Sequence, residues 1–158
     1  MDASAQLVSV TRRFVEEALE KVSTDADFVS RVAMSAHELL ENAAKYARLG
    51  RAELSLHMDG EAEAGAVGGD RLLTLRLSNT TTATHLDRLR QVFSELDACD
   101  DPLSLYVAMM RRNAHERDIS GLGLARIRAE GEMTLNLRIE GDTATIVACT
   151  RVAPGGHS

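Results

Sequence analysis

Three polar residues, Glu38, Asn42 and Lys45, follow one another at spacings of four and three within a strongly helical segment. Because an α-helix turns once every ~3.6 residues, these spacings place a carboxylate, an amide and an ammonium on one face. A carboxylate can orient or deprotonate a nucleophile, an amide oxygen suits Mg²⁺, and a lysine can face phosphate oxygens. The pattern therefore predicts a magnesium–phosphate site. The alternative is a solvated helix face whose polar side chains pair along the helix.

A second group of interest is the glycine-rich segment Ser120, Gly121, Leu122, Gly123 and Leu124, which opens a helical stretch. Glycines allow the backbone to approach a ligand closely. The free N–H groups and the positive dipole end of a helix favour anions. The segment predicts a phosphate-binding loop. The alternative is a helix entry that uses glycine to pack against a strand.

Helices and strands with clear periodicity must hold these two groups. Apolar spacing predicts a helix over residues 4–22 and another over 26–48, with an N-cap for the second offered by Ser23-Thr24-Asp25. We call Glu38, Asn42 and Lys45 the polar line of the second helix. An apolar stripe is expected to lie opposite this polar line, formed by Val29, Ala33, Ala36, Leu40, Ala43 and Ala47. Alternation predicts a strand over 51–59 and a second that ends at Asn79, joined by an exposed loop over 60–70.

The rest of the chain predicts more helices and a closing hairpin. Two helices follow the second strand and a shorter one follows the glycine-rich segment. The runs 133–140 and 142–152 alternate and meet at Gly141-Asp142, which is typical of a β-hairpin. We predict an α+β two-layer sandwich, with a mixed, mostly antiparallel sheet covered by helices on one face. Residues 1–153 are expected to form a single domain, and 154–158 a disordered tail.

Composition narrows the classes of function. The formal net charge is -6 and aromatic residues make up 3% of the chain, which argues against direct nucleic-acid binding. No apolar run reaches the roughly 20 residues of a membrane span, and no signal-peptide pattern is visible, so a cytoplasmic location is expected. Cys99 and Cys149 are expected to be free thiols. No metal site made of protein ligands alone is predicted.

Taken together, the motifs resemble those of the GHKL ATPase superfamily, which includes gyrase, heat-shock chaperone, mismatch-repair and histidine-kinase ATPases. HELLENAAKYA is similar to the N box of that superfamily, and SGLGLA is similar to its second glycine box. The size and the two leading helices most resemble the bacterial anti-sigma-factor serine kinases of partner-switching systems. Those kinases use ATP to phosphorylate a serine on a small antagonist protein, which competes with a sigma factor or output domain for one surface.

The resemblance implies a role for each matching residue. Glu38 would be the general base, Asn42 would hold Mg²⁺ against the triphosphate, and Lys45 would contact phosphate. Gly121, Leu122 and Gly123 would close over the phosphates, with Ser120 and Leu124 completing the second glycine box. Members of this size often pair, and the first helix is a candidate homodimer surface.

The first glycine box departs from the superfamily pattern. Asp-x-Gly-x-Gly is expected at the end of the second strand, where this sequence reads LRLSNTTTATH. Asn79 can present a carbonyl oxygen to the adenine amino group in place of the aspartate, though without its charge. A similar change occurs in the SiaB-like branch of these regulators. The alternative is that Asn79 is a turn residue at the strand end.

Between the two glycine boxes lies a basic cluster of Arg111, Arg112, His115 and Arg117, which predicts either a contact with the γ-phosphate or a solvated helix face. His37 precedes the N-box glutamate but is not expected to accept phosphate, because no dimerisation and phosphotransfer helix pair precedes it.

The sequence is compatible with two candidate functions. One is an ATP-dependent serine/threonine protein kinase acting on a small antagonist protein. The other is a non-catalytic module that sequesters a protein partner with weak or no nucleotide binding.

Overall fold

The described residues form five helices and a four-stranded sheet. The computed structural model describes residues 3–46, 52–59, 71–112 and 121–152, and the side chains of 3–9 and of residue 59 lie outside the description. The elements, in chain order, are α1 (Ala3–Glu20), α2 (Ala26–Tyr46), β1 (Ala52–Asp59), β2 (Leu72–Thr80), α3 (Ala83–Ala98), α4 (Pro102–Arg112), α5 (Leu122–Ala129), β3 (Thr134–Glu140) and β4 (Thr143–Arg151). The loop expected over 60–70 and the tail expected over 154–158 lie outside the described residues.

All pairings among the described strands are antiparallel, in the order β1-β2-β4-β3. β1 and β2 form one adjacent pair, β3 and β4 form another, and β2 joins β4 at the centre. The predicted C-terminal hairpin is confirmed, since Glu140 pairs with Thr143 across a turn of two residues. Gly141 has a φ of 61° there, a backbone conformation that glycine adopts at little cost.

Helices cover one face of the sheet, which confirms the predicted α+β class with two layers. Alternate residues of the central strands β2 and β4 are buried on that face: Leu73, Leu75, Leu77, Asn79, Ala144, Ile146 and Ala148. The opposite face carries half-buried and exposed polar side chains such as Arg76, Ser78 and Thr145. This pattern is expected of an antiparallel sheet with one solvated side.

Local capping explains where the helices start. The Asp25 carboxylate accepts hydrogen bonds from the backbone N–H groups of Asp27 and Phe28, so the predicted N-cap of α2 is confirmed. Thr82 caps α3 by accepting from the backbone N–H of His85. At the start of α4, the Asp101 carboxylate accepts hydrogen bonds from the Leu103 backbone N–H and the Ser104 hydroxyl. The bond from the Ser104 hydroxyl is the main cause that holds the pKa of Asp101 below its usual range.

The second helix is buried more widely than its sequence stripe indicated. Phe28, Val32 and Leu39 are fully buried in addition to the stripe residues Val29 and Ala33. The reason is that α2 packs against α1 on one side and against α5 and the sheet on others. α1 in turn buries Val15 and Leu19 and leaves its other side open, where Phe14 is 69% exposed.

Candidate functional site

The polar line of α2 runs from a covered end to an open end. The Glu38 side chain is only 15% exposed, whereas Asn42 is half-buried and Lys45, in the last turn, is exposed. Glu38 is covered because the first turn of α5 lies directly over it. For Glu38, the interpretation as part of a solvated helix face is therefore wrong.

The two predicted motifs meet in one small cavity. Its volume is about 40 Å³, and it is lined by Glu38, Glu41, Asn42, Lys45, Tyr46, Gly123 and Leu124. The first five residues lie on α2 and the last two lie on α5, so segments far apart in the sequence come together here. We call the group Glu38, Asn42, Lys45, Gly123 and Arg126 the α2–α5 junction.

Gly123 allows this close approach. A Cβ atom placed on Gly123 would lie 2.6 Å from Oε2 of Glu38, which is closer than non-bonded atoms tolerate. Gly121 serves a different contact, because a Cβ there would meet the side chains of Met109 and Val92. Of the described residues in the second glycine box, Gly123 and Leu124 line the cavity, and Gly121 and Leu122 do not. Ser120 lies outside the described residues.

Arg126 is the member of this junction that sequence reasoning missed. Its Nη1 donates to Oε1 of Glu38 at 2.9 Å, and its Nε donates to Oε2 of Glu130 at 2.9 Å. The hydrogen bond to Glu130 is the main cause that raises the pKa of Arg126, and the bond to Glu38 adds to it against the opposing effect of burial. The i,i+4 spacing of Arg126 and Glu130 was visible in the sequence, but nothing there signalled the contact with α2.

Tyr106 of α4 borders the same charged group. Burial raises the pKa of its phenol, and the negative charges of Glu130 and Glu38 act in the same direction while Arg126 opposes them. Three helices, α2, α4 and α5, therefore converge around the Glu38–Arg126 pair. His37, one residue before Glu38, places its Nε2 3.3 Å from Oε1 of Glu41 along the helix.

The other predicted ligand contact, Asn79, lies at a second junction. Asn79 belongs to β2 and pairs with Ala52 on one side and Ala144 on the other, so its interpretation as a turn residue is wrong. It is 6% exposed and lies on the helix-covered face. Its Nδ2 is buried and finds no hydrogen-bond partner among the residues that the structure describes. An unpaired buried donor is costly, about 1–3 kcal/mol, so this amide is suited to an acceptor brought by a ligand.

Next to Asn79, the end of α2 is fastened to the end of β2. The Thr81 hydroxyl donates to the backbone carbonyl of Tyr46 at 2.7 Å. The Tyr46 ring stacks on that of His85, with 3.9 Å between centroids and 12° between planes. His85 is buried, and this desolvation lowers its pKa. We call Tyr46, Asn79, Thr81 and His85 the α2–β2 junction.

The predicted basic cluster is divided by the structure. Arg111 and Arg112 end α4, and Nη2 of Arg112 lies 2.9 Å from Oε2 of Glu95 on α3. His115 and Arg117 fall outside the described residues. Within the described part of the chain, the guanidinium that contacts the polar line of α2 is that of Arg126, not that of Arg112.

The donor set at the α2–α5 junction determines which metal it can hold. No group of three or more His, Cys, Asp or Glu side chains suited to a metal ion occurs among the described residues. Mg²⁺ often takes only one or two protein oxygens and completes its shell with phosphate oxygens and water. Asn42 is therefore suited to Mg²⁺ that arrives with a phosphate compound.

Cys99 and Cys149 are free thiols, as expected.

No helix in the described ranges is long and apolar enough to cross a membrane. No protein-family model matches this sequence, and no curated protein matches it either.

Proposed function

We propose that this chain is a GHKL-type ATP-dependent serine/threonine protein kinase of the bacterial partner-switching kind, which phosphorylates a small antagonist protein. The observation that carries the proposal is the meeting of Glu38, Asn42 and Lys45 with Gly123 and Leu124 around one cavity. These residues are the ones that a magnesium–phosphate site requires, and they come from two separate motifs. Chance polar pairs along a single helix would not bring the second motif to the first.

The proposed reaction assigns one task to each side chain. Glu38 accepts the proton of the serine hydroxyl as the serine oxygen forms a bond to the γ-phosphorus of ATP and the bond from that phosphorus to the β,γ-bridging oxygen breaks, which releases ADP. Asn42 offers its amide oxygen to Mg²⁺, and Lys45 offers its ammonium group to the phosphate oxygens. Bound Mg-ATP would supply the terminal phosphoryl group. Gly123 keeps the start of α5 free of side-chain bulk next to Glu38.

Asn79 supports a base-binding role in this proposal. Its Nδ2 is buried without a partner in the described structure, and a purine ring carries nitrogen acceptors. The amide can also accept from an amino group through its oxygen, as the missing aspartate would. The residues present are therefore chemically compatible with Mg-ATP at both ends of the site.

The cavity is small for such a ligand. Ligand sites usually enclose about 300–1,000 Å³, against about 40 Å³ between α2 and α5. Nucleotide binding would therefore require the start of α5 to move away from Glu38. This requirement favours a second candidate function, a non-catalytic module that keeps the fold to sequester a protein partner.

The partner and the assembly remain predictions. A small antagonist or sigma-factor-like protein is the expected partner, and a cytoplasmic location is expected. A homodimer would use α1, on which Val10 and Phe14 are exposed apolar side chains.

Calorimetric titration with Mg-ATP distinguishes the two functions. We expect the wild-type protein to bind at micromolar to sub-millimolar concentration and Asn42→Ala to lose at least about tenfold in affinity, since a metal–phosphate contact is removed. Asn136→Ala, on the uncovered face of the sheet, is the matched control and should bind like wild type. Absence of heat at millimolar Mg-ATP would overturn the kinase proposal and leave the sequestering module.

A further inference from the structure

We infer that Arg126 is a positioning residue that keeps Glu38 paired until the phosphates of a bound nucleotide take over its guanidinium. The inference rests on the proposed function and adds a regulatory step to the same site. It makes phosphate binding and the release of the base one coupled event.

The geometry of the guanidinium carries the inference. One arm, Nη1, holds Glu38 of α2, and another nitrogen, Nε, holds Glu130 of its own helix. Both bonds are 2.9 Å long, in the range of charge-assisted hydrogen bonds. The contact with Glu130 is the ordinary i,i+4 pair of a helix surface. The contact with Glu38 joins α5 to a residue of α2 that lines the cavity proposed to hold phosphate.

Burial makes the pair asymmetric. The Glu38 side chain is 15% exposed, whereas that of Arg126 is 40% exposed. The arginine can therefore turn toward an incoming anion, while the glutamate stays between the helices. Arg126 lies three residues after Gly123, on the same side of α5, so its side chain is close to the lining of the cavity.

The charges explain why this pairing restrains the base. A carboxylate oxygen that accepts a charge-assisted bond from a guanidinium has a lone pair occupied, so this lone pair is not available to the hydroxyl of a substrate. Phosphate oxygens compete well for a guanidinium because they match its planar donors. Glu130 would hold Arg126 at the rim of the cavity while Glu38 is released.

The same contact helps to keep the cavity small. The Glu38–Arg126 bond and the close approach at Gly123 both hold the first turns of α5 against α2. Transfer of Arg126 to phosphate would remove one of these two restraints at the moment when space is needed. Arg126 thus links the charge state of the site to its volume.

A double-mutant cycle tests the coupling. We would measure the dissociation constant of Mg-ATP by calorimetry for wild type, Glu38→Gln, Arg126→Gln and the double variant. If Glu38 and the phosphates compete for Arg126, Glu38→Gln should tighten binding about tenfold when Arg126 is present. In the Arg126→Gln background the same change should tighten binding by no more than about threefold, from reduced repulsion alone.

Conservative and distant variants exclude a merely structural role. Arg126→Lys keeps the positive charge, so in that background Glu38→Gln should tighten binding by about fivefold, between the effect expected with arginine and the effect expected with glutamine. Arg90→Gln, which removes an exposed ion pair with Asp87 on α3, should leave the dissociation constant unchanged. Thermal unfolding of each variant confirms that it is folded before its binding is compared.

The outcomes separate this inference from the proposed function. If wild type binds Mg-ATP and Glu38→Gln has the same effect with and without Arg126, the function stands and the role of Arg126 is overturned. If none of the four proteins binds Mg-ATP, both are overturned. A coupling that Arg126→Lys partly restores supports the inference.

Discussion

The α2–α5 junction and the α2–β2 junction contact the same helix but are built from different interactions. The first is charged and partly exposed, with the Glu38 carboxylate held by Arg126. The second is buried and built from uncharged groups: a stacked Tyr46–His85 pair, the Thr81 hydroxyl and the Asn79 amide. The first junction brings together residues of the two motifs singled out in the sequence. The second junction contains Asn79, which stands where the Asp-x-Gly-x-Gly box was expected.

This difference shows which part of the site can rearrange at low cost. The Arg126 side chain of the ion pair is 40% exposed, so this arginine can exchange Glu38 for phosphate or water. Opening a buried hydrogen bond or ring stack costs more free energy, because the buried groups cannot replace the lost contact with a hydrogen bond to water. We therefore expect the α2–α5 junction to open at lower cost than the α2–β2 junction, where a base that contacts Asn79 would also have to displace buried groups.

Asn79→Asp should have the largest effect on stability and would test how strictly the α2–β2 junction excludes charge. A carboxylate at this buried position has lost its hydration, so we expect a loss of about 1–3 kcal/mol in the free energy of unfolding at neutral pH. Urea denaturation measures it. Ser78→Asp, one residue earlier and on the uncovered face, should cost clearly less. Equal costs at the two positions would show that Asn79 is not in a dry environment.

Gly123→Ala should have a smaller effect and tests how the α2–α5 junction depends on close packing. The added Cβ would displace the Glu38 carboxylate, and we expect a loss of about 1 kcal/mol together with loss of the bond to Arg126. Arg126→Gln should then cost less stability in this background than in wild type, because only its i,i+4 pair with Glu130 remains to be lost, as chemical denaturation of the single and double variants would reveal. Gly121→Ala is the control, because its Cβ would meet Met109 and Val92 rather than Glu38. Additive effects of Gly123→Ala and Arg126→Gln would contradict the proposed packing.

His85 should produce the smallest effect, a pH dependence of stability. Burial lowers its pKa in the folded protein, so between the unfolded value of 6.5 and the lower folded value only the unfolded chain takes up a proton. Stability contributed by neutral His85 is therefore present above pH 6.5 and is lost as the pH falls through that window. His85→Phe keeps the stack with Tyr46 and should flatten the fall in melting temperature below pH 6.5. An unchanged profile would show that His85 does not control it, and His57→Phe on β1, where the side chain is exposed, provides the comparison.

The fold was largely predictable because its helices and strands have clean periodicities and strong caps. The N-cap within Ser23-Thr24-Asp25 and the turn at Gly141 are local signals, and both are confirmed in the structure. The width of burial on α2 was not predictable from one apolar stripe. Three partners, α1, α5 and the sheet, surround that helix, and a single sequence period cannot report them all.

The candidate site was predictable where its residues belong to one of the two sequence motifs, and contacts made by residues outside those motifs were not. Glu38, Asn42 and Lys45 were found from helical spacing alone, whereas Arg126 was missed because its link to Glu38 depends on how α5 crosses α2. The stack of Tyr46 on His85 was missed for the same reason. Contacts between distant segments are set by tertiary packing, for which the spacing of residues in one segment carries no signal.

The strand order β1-β2-β4-β3 also has a consequence for how the chain reaches its native state. Each of the pairs β1–β2 and β3–β4 joins strands that are neighbours in sequence, so both can form with little loss of chain entropy. The ladder between β2 and β4 must instead bring Leu77 to Ile146 with three helices in between. Non-local ladders form slowly because their closure entropy is paid before their contacts are made. We therefore expect the central ladder to limit the folding rate, and β2, one of its two strands, also contacts α2.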